Sequence, residues 1–338
     1  MSSTRATAFA LMCPDMTTEC TLIVPVYRNE ENIPALLERF AQLNSQVNGG
    51  IRVVCVVDGS PDQSYALLAT GLAAAPYASR LLLLSRNFGS FAAIREGLKI
   101  AEGRYFAVMA ADLQEPAELM VASFEALQRD ECDVAFGTRI SRADPWMSRI
   151  SSGIFWGLYR NLIQRELPPG GVDVFACNRA FRDQLLTFQE ANTSLVGQLL
   201  WLGFRRKLIP YSRQARQHGA SAWRFGAKLK YLLDSIYSFS DLPIKLFVVL
   251  GAMGVASSIA MGLVVLVSRL TGGIAVPGYA ATIIAIVFFA GLNMFGLGII
   301  GSYVWRAFEN TKARPLAIVM REHHFDAAPV HQISEPQP

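Results

Sequence analysis

The segment IRVVCVVDGSPD at residues 51–62 begins with a run of apolar, mostly β-branched residues and ends in a polar turn. This pattern predicts a buried strand that stops near the glycine. Similar runs occur at 21–27 (TLIVPVY), 80–85 (RLLLLS), 105–112 (YFAVMAAD) and 133–139 (DVAFGTR). Helical patterns separate several of the runs, at 32–44, 91–101 and 116–129. The alternation predicts an α/β domain built from βαβ units on a parallel sheet.

The composition indicates a folded protein that contacts a membrane. Hydrophobic residues make up 52% and charged residues 17% of the 338 residues, whereas about 25% charge is usual in soluble domains. This excludes a disordered chain, and the length predicts about two domains. The net charge of +4 is too small to indicate nucleic-acid binding. The five cysteines lack C-x-x-C spacing, which argues against a disulfide framework or a zinc site and favours a reducing, cytosolic setting.

Two long stretches without charge follow the α/β region, at 246–268 and 270–305. Because about 20 apolar residues cross a bilayer as a helix, they predict a transmembrane hairpin with spans near 244–268 and 278–304. Two buried helices of a soluble protein are the alternative. Lysines and arginines precede the first stretch and follow the second, and only Arg269 lies between them. The positive-inside rule therefore predicts that both ends face the cytoplasm.

The segment before the hairpin, 204–230, contains arginines and lysines but no acid. It overlaps the sequence WRFGAKLKYLLDSIYSF at 223–239, which predicts a helix in the membrane interface. A solvated basic face is the alternative. The predicted organisation is a flexible lead-in at 1–19, an α/β domain at 20–221, an interfacial amphipathic helix at 222–243, the hairpin at 244–305 and a cytosolic tail at 306–338.

Polar residues follow the predicted strands, where open α/β sheets bind their ligands. Glu30 and Asp58 could accept hydrogen bonds from a nucleobase or a ribose, and Tyr27 offers a ring for stacking. Each residue alone could instead be a turn or helix-cap residue. Polar segments follow four of the predicted strands of this one domain, which favours a binding site.

Four segments carry a resemblance to a known family: PVYRNEEN (25–32), VVDGSPD (56–62), SRNFGSFAAIREGL (85–98) and AADLQEP (110–116). They resemble motifs of inverting nucleotide-sugar glycosyltransferases with the Rossmann-like glycosyltransferase A fold. Within this group the chain is most similar to the family 2 polyprenyl-phosphate glycosyltransferases, which are related to dolichyl-phosphate mannose synthase and include bacterial undecaprenyl-phosphate glucosyltransferases. The resemblance extends from residue 21 to about residue 312. It implies a glycosyltransferase A domain followed by interfacial helices and two transmembrane helices.

The resemblance also implies roles for individual residues. The nucleotide-sugar site would contain Pro25, Tyr27, Glu30, Asp58, Arg86, Asn87, Asp112 and Gln114. Asp112 and Gln114 would hold Mg²⁺ or Mn²⁺, although Val57 and Ala110 replace acids that the family often has, which predicts weaker metal dependence. The acceptor phosphate would bind Arg139, Arg149, Arg213, Arg216 and Ser221. Asp112 and Asp173 are the candidate catalytic residues, and a turn carboxylate is an equally open role for Asp173.

The expected activity is the inverting transfer of one sugar from a nucleotide sugar, with UDP-glucose or a related UDP-sugar favoured, to polyprenyl (undecaprenyl) phosphate. The enzyme would lie in the inner membrane, with its catalytic domain and both termini in the cytosol, as a homo-oligomer such as a tetramer. No nucleic-acid partner is expected. A processive polysaccharide synthase is an alternative, but two spans and the lack of a Q-x-x-R-W motif argue against it. A catalytically impaired, membrane-tethered nucleotide-binding scaffold is another, suggested by Val57 and Ala110.

Overall fold

The computed structural model describes residues 19–139, 172, 174–190, 193–214, 233–271 and 278–327. Its described strands form one eight-stranded sheet in the order β7-β5-β6-β4-β1-β2-β3-β8. The strands are β1 Cys20–Val26, β2 Ile51–Val57, β3 Ser79–Leu84, β4 Tyr105–Val108, β5 Val134–Arg139, β6 Val174–Asn178, β7 Arg206–Tyr211 and β8 Val319–Phe325. The helices are α1 Ile33–Gln46, α2 Ser64–Ala73, α3 Ser90–Ile100, α4 Ala117–Gln128, α5 Arg179–Thr187, α6 Leu195–Trp201, α7 at 233–239, α8 Leu242–Leu270 and α9 Tyr279–Thr311.

The sheet is mixed, which corrects the expectation of a parallel sheet. Six strands, β1 to β5 and β7, run in one direction, and β6 and β8 run antiparallel to their neighbours. The register pairs Gly137 near the end of β5 with Val174 at the start of β6. The chain therefore re-enters the sheet from the edge at which β5 ended, and β6 has to run in the opposite direction.

Both faces of the sheet are covered by buried side chains. One apolar cluster contains the inner face of α1, where Ile33, Leu36, Phe40 and Leu43 repeat at helical spacing. A second cluster on the other face includes α3 and α5. Because the central strands are buried on both sides, they form continuous hydrophobic runs in the sequence. This is why the sequence predicts β1, β2, β3 and β5 to within two residues.

The sequence pattern did not predict every element. The run at 105–112 forms a strand only as far as Val108, because the residues after Met109 turn into a polar loop. Helices α2, α5 and α6 and strands β6, β7 and β8 were not among the predicted elements. Strand β8 lies in the segment predicted to be a cytosolic tail, and it pairs antiparallel with β3. The α/β domain thus includes residues from beyond the hairpin.

Helices α8 and α9 are long and apolar enough to cross a membrane. Their most hydrophobic windows are Leu242–Val264, with a mean hydropathy of 2.1 and 0% buried, and Phe288–Thr311, with 1.4 and 11% buried. A core helix of a soluble protein would be mostly buried, so the exposed apolar surface argues against that alternative. The two helices pack through Phe247 against Gly296, where an added Cβ would lie 2.0 Å from the Phe247 ring.

Candidate active site

The carboxyl ends of six strands meet at one edge of the sheet, and most of the predicted site residues in the described part of the chain lie there. Ligands of open α/β sheets bind at such an edge. Pro25 is the penultimate residue of β1, paired in register with Val56, and so lies next to the same edge. Asp173, Arg149, Arg216 and Ser221 lie outside the described residues.

Asp58 is buried directly after β2 and binds the loop that follows β3. Its two carboxylate oxygens accept hydrogen bonds from the main-chain N–H groups of Phe88, at 2.7 Å, and Gly89, at 2.8 Å. Burial raises the pKa of Asp58, and the two hydrogen bonds and the charge of Arg86 oppose that rise. Asp58 is only 2% exposed. It therefore shapes the binding edge from within the protein.

The loops after β2 and β3 approach each other closely. A Cβ on Gly59, whose φ is +56°, would lie 2.3 Å from the carbonyl carbon of Arg86, so only glycine fits at this position. The side chains of Arg86 and Asn87 are exposed beside it. The Arg86 guanidinium stacks 4.0 Å from the centre of the Phe88 ring. This arrangement presents a cation at the edge of the sheet.

The loops after β1 and β2 are joined by a network centred on Asp62, which is not among the residues that the sequence predicts for the site. Asp62 accepts hydrogen bonds from the hydroxyls of Ser60, at 2.6 Å, and Ser64, at 2.9 Å, and from the Glu30 N–H, at 3.2 Å. Partial burial tends to raise the pKa of Asp62, but these hydrogen bonds outweigh it and the pKa is lowered. Its place two residues before Ser64, at the start of α2, is the local signal that could have revealed it.

Glu30 takes part in the same network. Its carboxylate accepts a hydrogen bond from the Gln63 N–H at 2.8 Å, at the beginning of α2. Tyr27 is half-buried nearby, and the guanidinium of Arg28 lies 5.5 Å from the centre of its ring. Arg28 itself has a φ of +51°, a conformation that bends the chain sharply after β1. Glu30 and Tyr27 thus contact protein groups at the predicted donor edge.

Gln114 connects this edge to the loop after β7. Its side-chain oxygen accepts a hydrogen bond from Arg213, and its amide nitrogen donates to the carbonyl of Gln214 at 3.3 Å. The Gln214 N–H in turn donates to the main-chain carbonyl of Gln114 at 2.9 Å. Asp112 lies two residues earlier, half-buried, and accepts the Gln114 N–H at 3.4 Å. The structure therefore brings a predicted acceptor arginine against a predicted donor loop.

Known proteins with this sequence pattern are glycosyltransferases. The family model for glycosyl transferase family 2 matches residues 21–187, and a glycosyltransferase of Synechocystis, described as uncharacterised, is 30% identical over 90% of this chain and 95% of its own. The chain belongs to glycosyl transferase family 2. This family 2 enzyme is also 26% identical to a prophage bactoprenol glucosyl transferase homologue of Escherichia coli, over 89% of this chain and 98% of that one.

Among solved structures, one similar to this family 2 enzyme is a mannosyltransferase of Pyrobaculum calidifontis, determined in complex with GDP-mannose and Mn²⁺. It is 15% identical, covers 87% of each chain and has a TM-score of 0.45.

Asp112 fits a divalent cation better than Gln114 does. The Gln114 oxygen already accepts a hydrogen bond from a cationic guanidinium, which disfavours a metal ion at the same atom. Within the described residues, no group of three His, Cys, Asp or Glu side chains is placed to hold a metal. Mg²⁺ often binds one or two carboxylates and completes its shell with substrate phosphates and water. Asp112 in this family 2 enzyme suits that kind of binding.

Arg139 ends β5 at the same edge of the sheet. It is half-buried and pairs in register with Tyr211, two residues before Arg213.

Burial raises the pKa of the described cysteine thiols, which are free and buried: Cys20, Cys55, Cys132 and Cys177. These thiols have no part in the chemistry of the edge.

Proposed function

We propose that this glycosyltransferase moves a single sugar from a nucleotide sugar to polyprenyl phosphate at the cytoplasmic face of a membrane, with inversion. The proposal depends mainly on the hydrogen bond between Arg213 and Gln114. This bond holds a cation suited to an anionic acceptor beside the loop predicted to bind the donor. An apolar helical hairpin in the same chain supports a lipid acceptor. Similarity to relatives named bactoprenol glucosyl transferases supports it as well, and favours UDP-glucose or a related UDP-sugar as the donor.

The donor would lie across the loops after β1, β2, β3 and β4. Asp112 would hold Mg²⁺ or Mn²⁺ together with the donor diphosphate, and such an ion would stabilise the negative charge of the departing nucleoside diphosphate. Arg86 is exposed at the same edge and would add a second positive charge. Asp58 and Asp62 hold the loops in place, and Asp58 remains a proposed residue of the nucleotide-sugar site.

The acceptor needs little help from a base. A phosphate monoester with a second pKa of about 6 is largely a dianion near pH 7, so its oxygen can attack the sugar carbon directly. Arg213 would bind this phosphate, and Arg139, Arg149, Arg216 and Ser221 are proposed to assist it. Asp173 would orient the acceptor or accept a residual proton.

The hairpin would place this edge beside the bilayer. Lys245 lies in the first turn of α8, Arg306 and Lys312 lie at the end of α9, and Arg269 is the one cation at the other end of α8. Lys312 contacts the rings of Trp305, at 5.0 Å, and Phe308, an arrangement typical of a membrane interface. Both termini would therefore be cytosolic.

A radiolabel transfer assay tests the proposal. Full-length protein in nanodiscs would receive UDP-[¹⁴C]glucose, undecaprenyl phosphate and Mn²⁺, with GDP-[¹⁴C]mannose as the matched donor. We expect label in the organic-extractable lipid, carried as one sugar per lipid, and more from the UDP-sugar. Label in a polymer would show a synthase instead, and no transfer from either donor would contradict the proposed reaction. Asp112→Asn serves as the inactive control.

A further inference from the structure

The base of the hairpin is closed by a cluster of polar and aromatic side chains, here called the hairpin clasp: Asp234, Tyr237, Ser240, Tyr303 and Arg306. Arg306 forms an ion pair with Asp234 at 2.6 Å, and its guanidinium lies 4.9 Å from the centre of the Tyr237 ring. The Tyr237 and Tyr303 rings meet edge to face at 5.1 Å. The Tyr303 hydroxyl donates to the carbonyl of Ser240 at 3.4 Å.

The clasp joins two segments that are distant in the chain. Asp234 and Tyr237 belong to α7, which precedes the hairpin, and Tyr303 and Arg306 belong to the last turns of α9. The side chains of Asp234 and Arg306 are only 16% and 20% exposed. Removing one partner of such a shielded pair leaves the other charge uncompensated, so the contact holds the two segments together more firmly than a surface pair would.

Helix α7 is also seated against the α/β domain. A Cβ on Gly197 of α6 would lie 2.4 Å from Cε2 of Phe239, the last residue of α7, so the ring lies directly on the helix backbone. The next residue of α6, Gln198, accepts a hydrogen bond from Arg95 of α3 at 3.4 Å. Helix α3 begins at Ser90, immediately after the loop held by Asp58. Packed elements thus extend without a break from the donor edge to the hairpin.

We propose that the hairpin clasp is a positioning device for the lipid acceptor. It fixes the angle and height of the hairpin against the α/β domain, and thereby the distance from the bilayer at which a lipid-borne phosphate meets the edge of the sheet. The inference rests on the proposed function. Asp234 and Arg306 are positioning residues in it, because they would act on the acceptor through the placement of the hairpin.

Charge exchange tests the proposal in full-length protein in nanodiscs. Asp234→Arg and Arg306→Asp are made singly and together, and KM is measured for undecaprenyl phosphate, for a short water-soluble prenyl phosphate and for UDP-glucose. We expect each single change to raise KM for the long-chain acceptor about tenfold, with KM for the short acceptor and for the donor changed less than about twofold. The double exchange should recover most of the loss. If a reversed protein does not fold, Arg306→Gln replaces it with the same expected direction.

The matched control is the pair Asp241 and Lys245, which lies at the same base of the hairpin with side chains 63% and 70% exposed. Its reversal should leave all three KM values unchanged. Equal losses for all substrates, or no recovery in the double charge-exchange variant, would overturn the proposal.

Amide hydrogen exchange at 233–239 gives a readout without substrate. The single charge reversals should speed hydrogen exchange there, and the double variant should slow it again. If the wild-type protein transfers no sugar, the proposed function fails, and unchanged exchange in the single variants would separately refute the clasp.

Discussion

Arg213 donates a hydrogen bond to the side-chain oxygen of Gln114, across two loops that the sequence motifs assign to different substrates. The loop after β4 carries Asp112, the proposed metal-binding carboxylate, and the loop after β7 carries Arg213, the proposed acceptor-binding cation. A reaction between a donor and an acceptor requires their two sites to be adjacent. The contact brings the loop of the proposed metal-binding carboxylate and the loop of the proposed acceptor-binding cation together at one edge of the sheet.

Replacing Arg213 should affect acceptor binding selectively. We expect Arg213→Ala to raise KM for polyprenyl phosphate about tenfold or more, because the guanidinium proposed to bind the acceptor phosphate is lost, and to leave KM for the nucleotide sugar near its wild-type value. Steady-state kinetics with each substrate varied in turn measures both. Arg205→Ala is the control, since Arg205 lies at the opposite end of β7 in surface ion pairs with Asp130 and Asp133. Equal loss in the control would remove Arg213 from the acceptor site.

Replacing Asp112 should impair chemistry far more than folding. We expect Asp112→Asn to lower kcat by about 10²-fold or more, because the carboxylate that would hold the divalent cation loses its charge. The Tm should stay close to that of the wild-type protein, since Asp112 is half-buried at the edge of the sheet. Asp130→Asn, at an exposed surface position, should change neither quantity. Near-normal turnover of the Asp112 variant would exclude the metal-binding role.

Replacing Asp58 should have the reverse pattern, with a large effect on stability. Asp58→Ala leaves the N–H groups of Phe88 and Gly89 without their acceptor, and we expect the free energy of unfolding to fall by about 1–3 kcal/mol. Asp58→Asn keeps one acceptor oxygen, so its free energy of unfolding should lie between those of the alanine variant and the wild-type protein. Denaturant titration in detergent orders the three proteins. A donor KM that rises in the same order would show that the loop after β3 needs this carboxylate to hold its shape.

The lowered pKa of Asp62 predicts a pH-dependent stability. A carboxylate whose pKa is lowered on folding contributes stability above its unfolded pKa, near 3.8, and loses it as the pH falls through the folded value. We therefore expect Asp62→Asn to be less stable than the wild-type protein at pH 7, with the difference shrinking below pH 3.8. Thermal unfolding between pH 7 and the acid range measures it. A difference that is constant across that range would contradict the proposed network.

The central strands of the fold could be predicted from sequence because they are buried on both faces and form uninterrupted apolar runs. The strands β7 and β8, at the two edges of the described sheet, could not, since both carry exposed charged residues: Lys207 in β7, and Arg321 and Glu322 in β8. Edge strands commonly carry such charges to prevent further pairing. Their local sequence therefore resembles a loop, and only the pairing with β5 or β3 makes them strands.

The position of the candidate site could also be predicted from sequence, but the contacts of its residues could not. Motifs at strand ends identified Asp58, Asp112 and Gln114 as residues of the binding edge. What each carboxylate or amide contacts depends on loops that approach from distant parts of the chain, such as 86–89 and 213–214. No local pattern encodes those approaches. For this reason the sequence predicts Asp58 and Gln114 as residues of the nucleotide-sugar site, but not the main-chain and side-chain groups of the protein to which they are hydrogen-bonded.

Strand β8 is made after the hairpin, yet it completes the sheet beside β3. During synthesis, β3 emerges from the ribosome long before its neighbour exists, and that neighbour arrives only once both apolar helices have left the exit tunnel. The eight-stranded sheet therefore cannot be completed until both apolar helices have been synthesised. The last strand of the sheet thus depends on complete translation of the chain through α9, and a chain that stops within the hairpin would leave the β8 side of β3 unpaired.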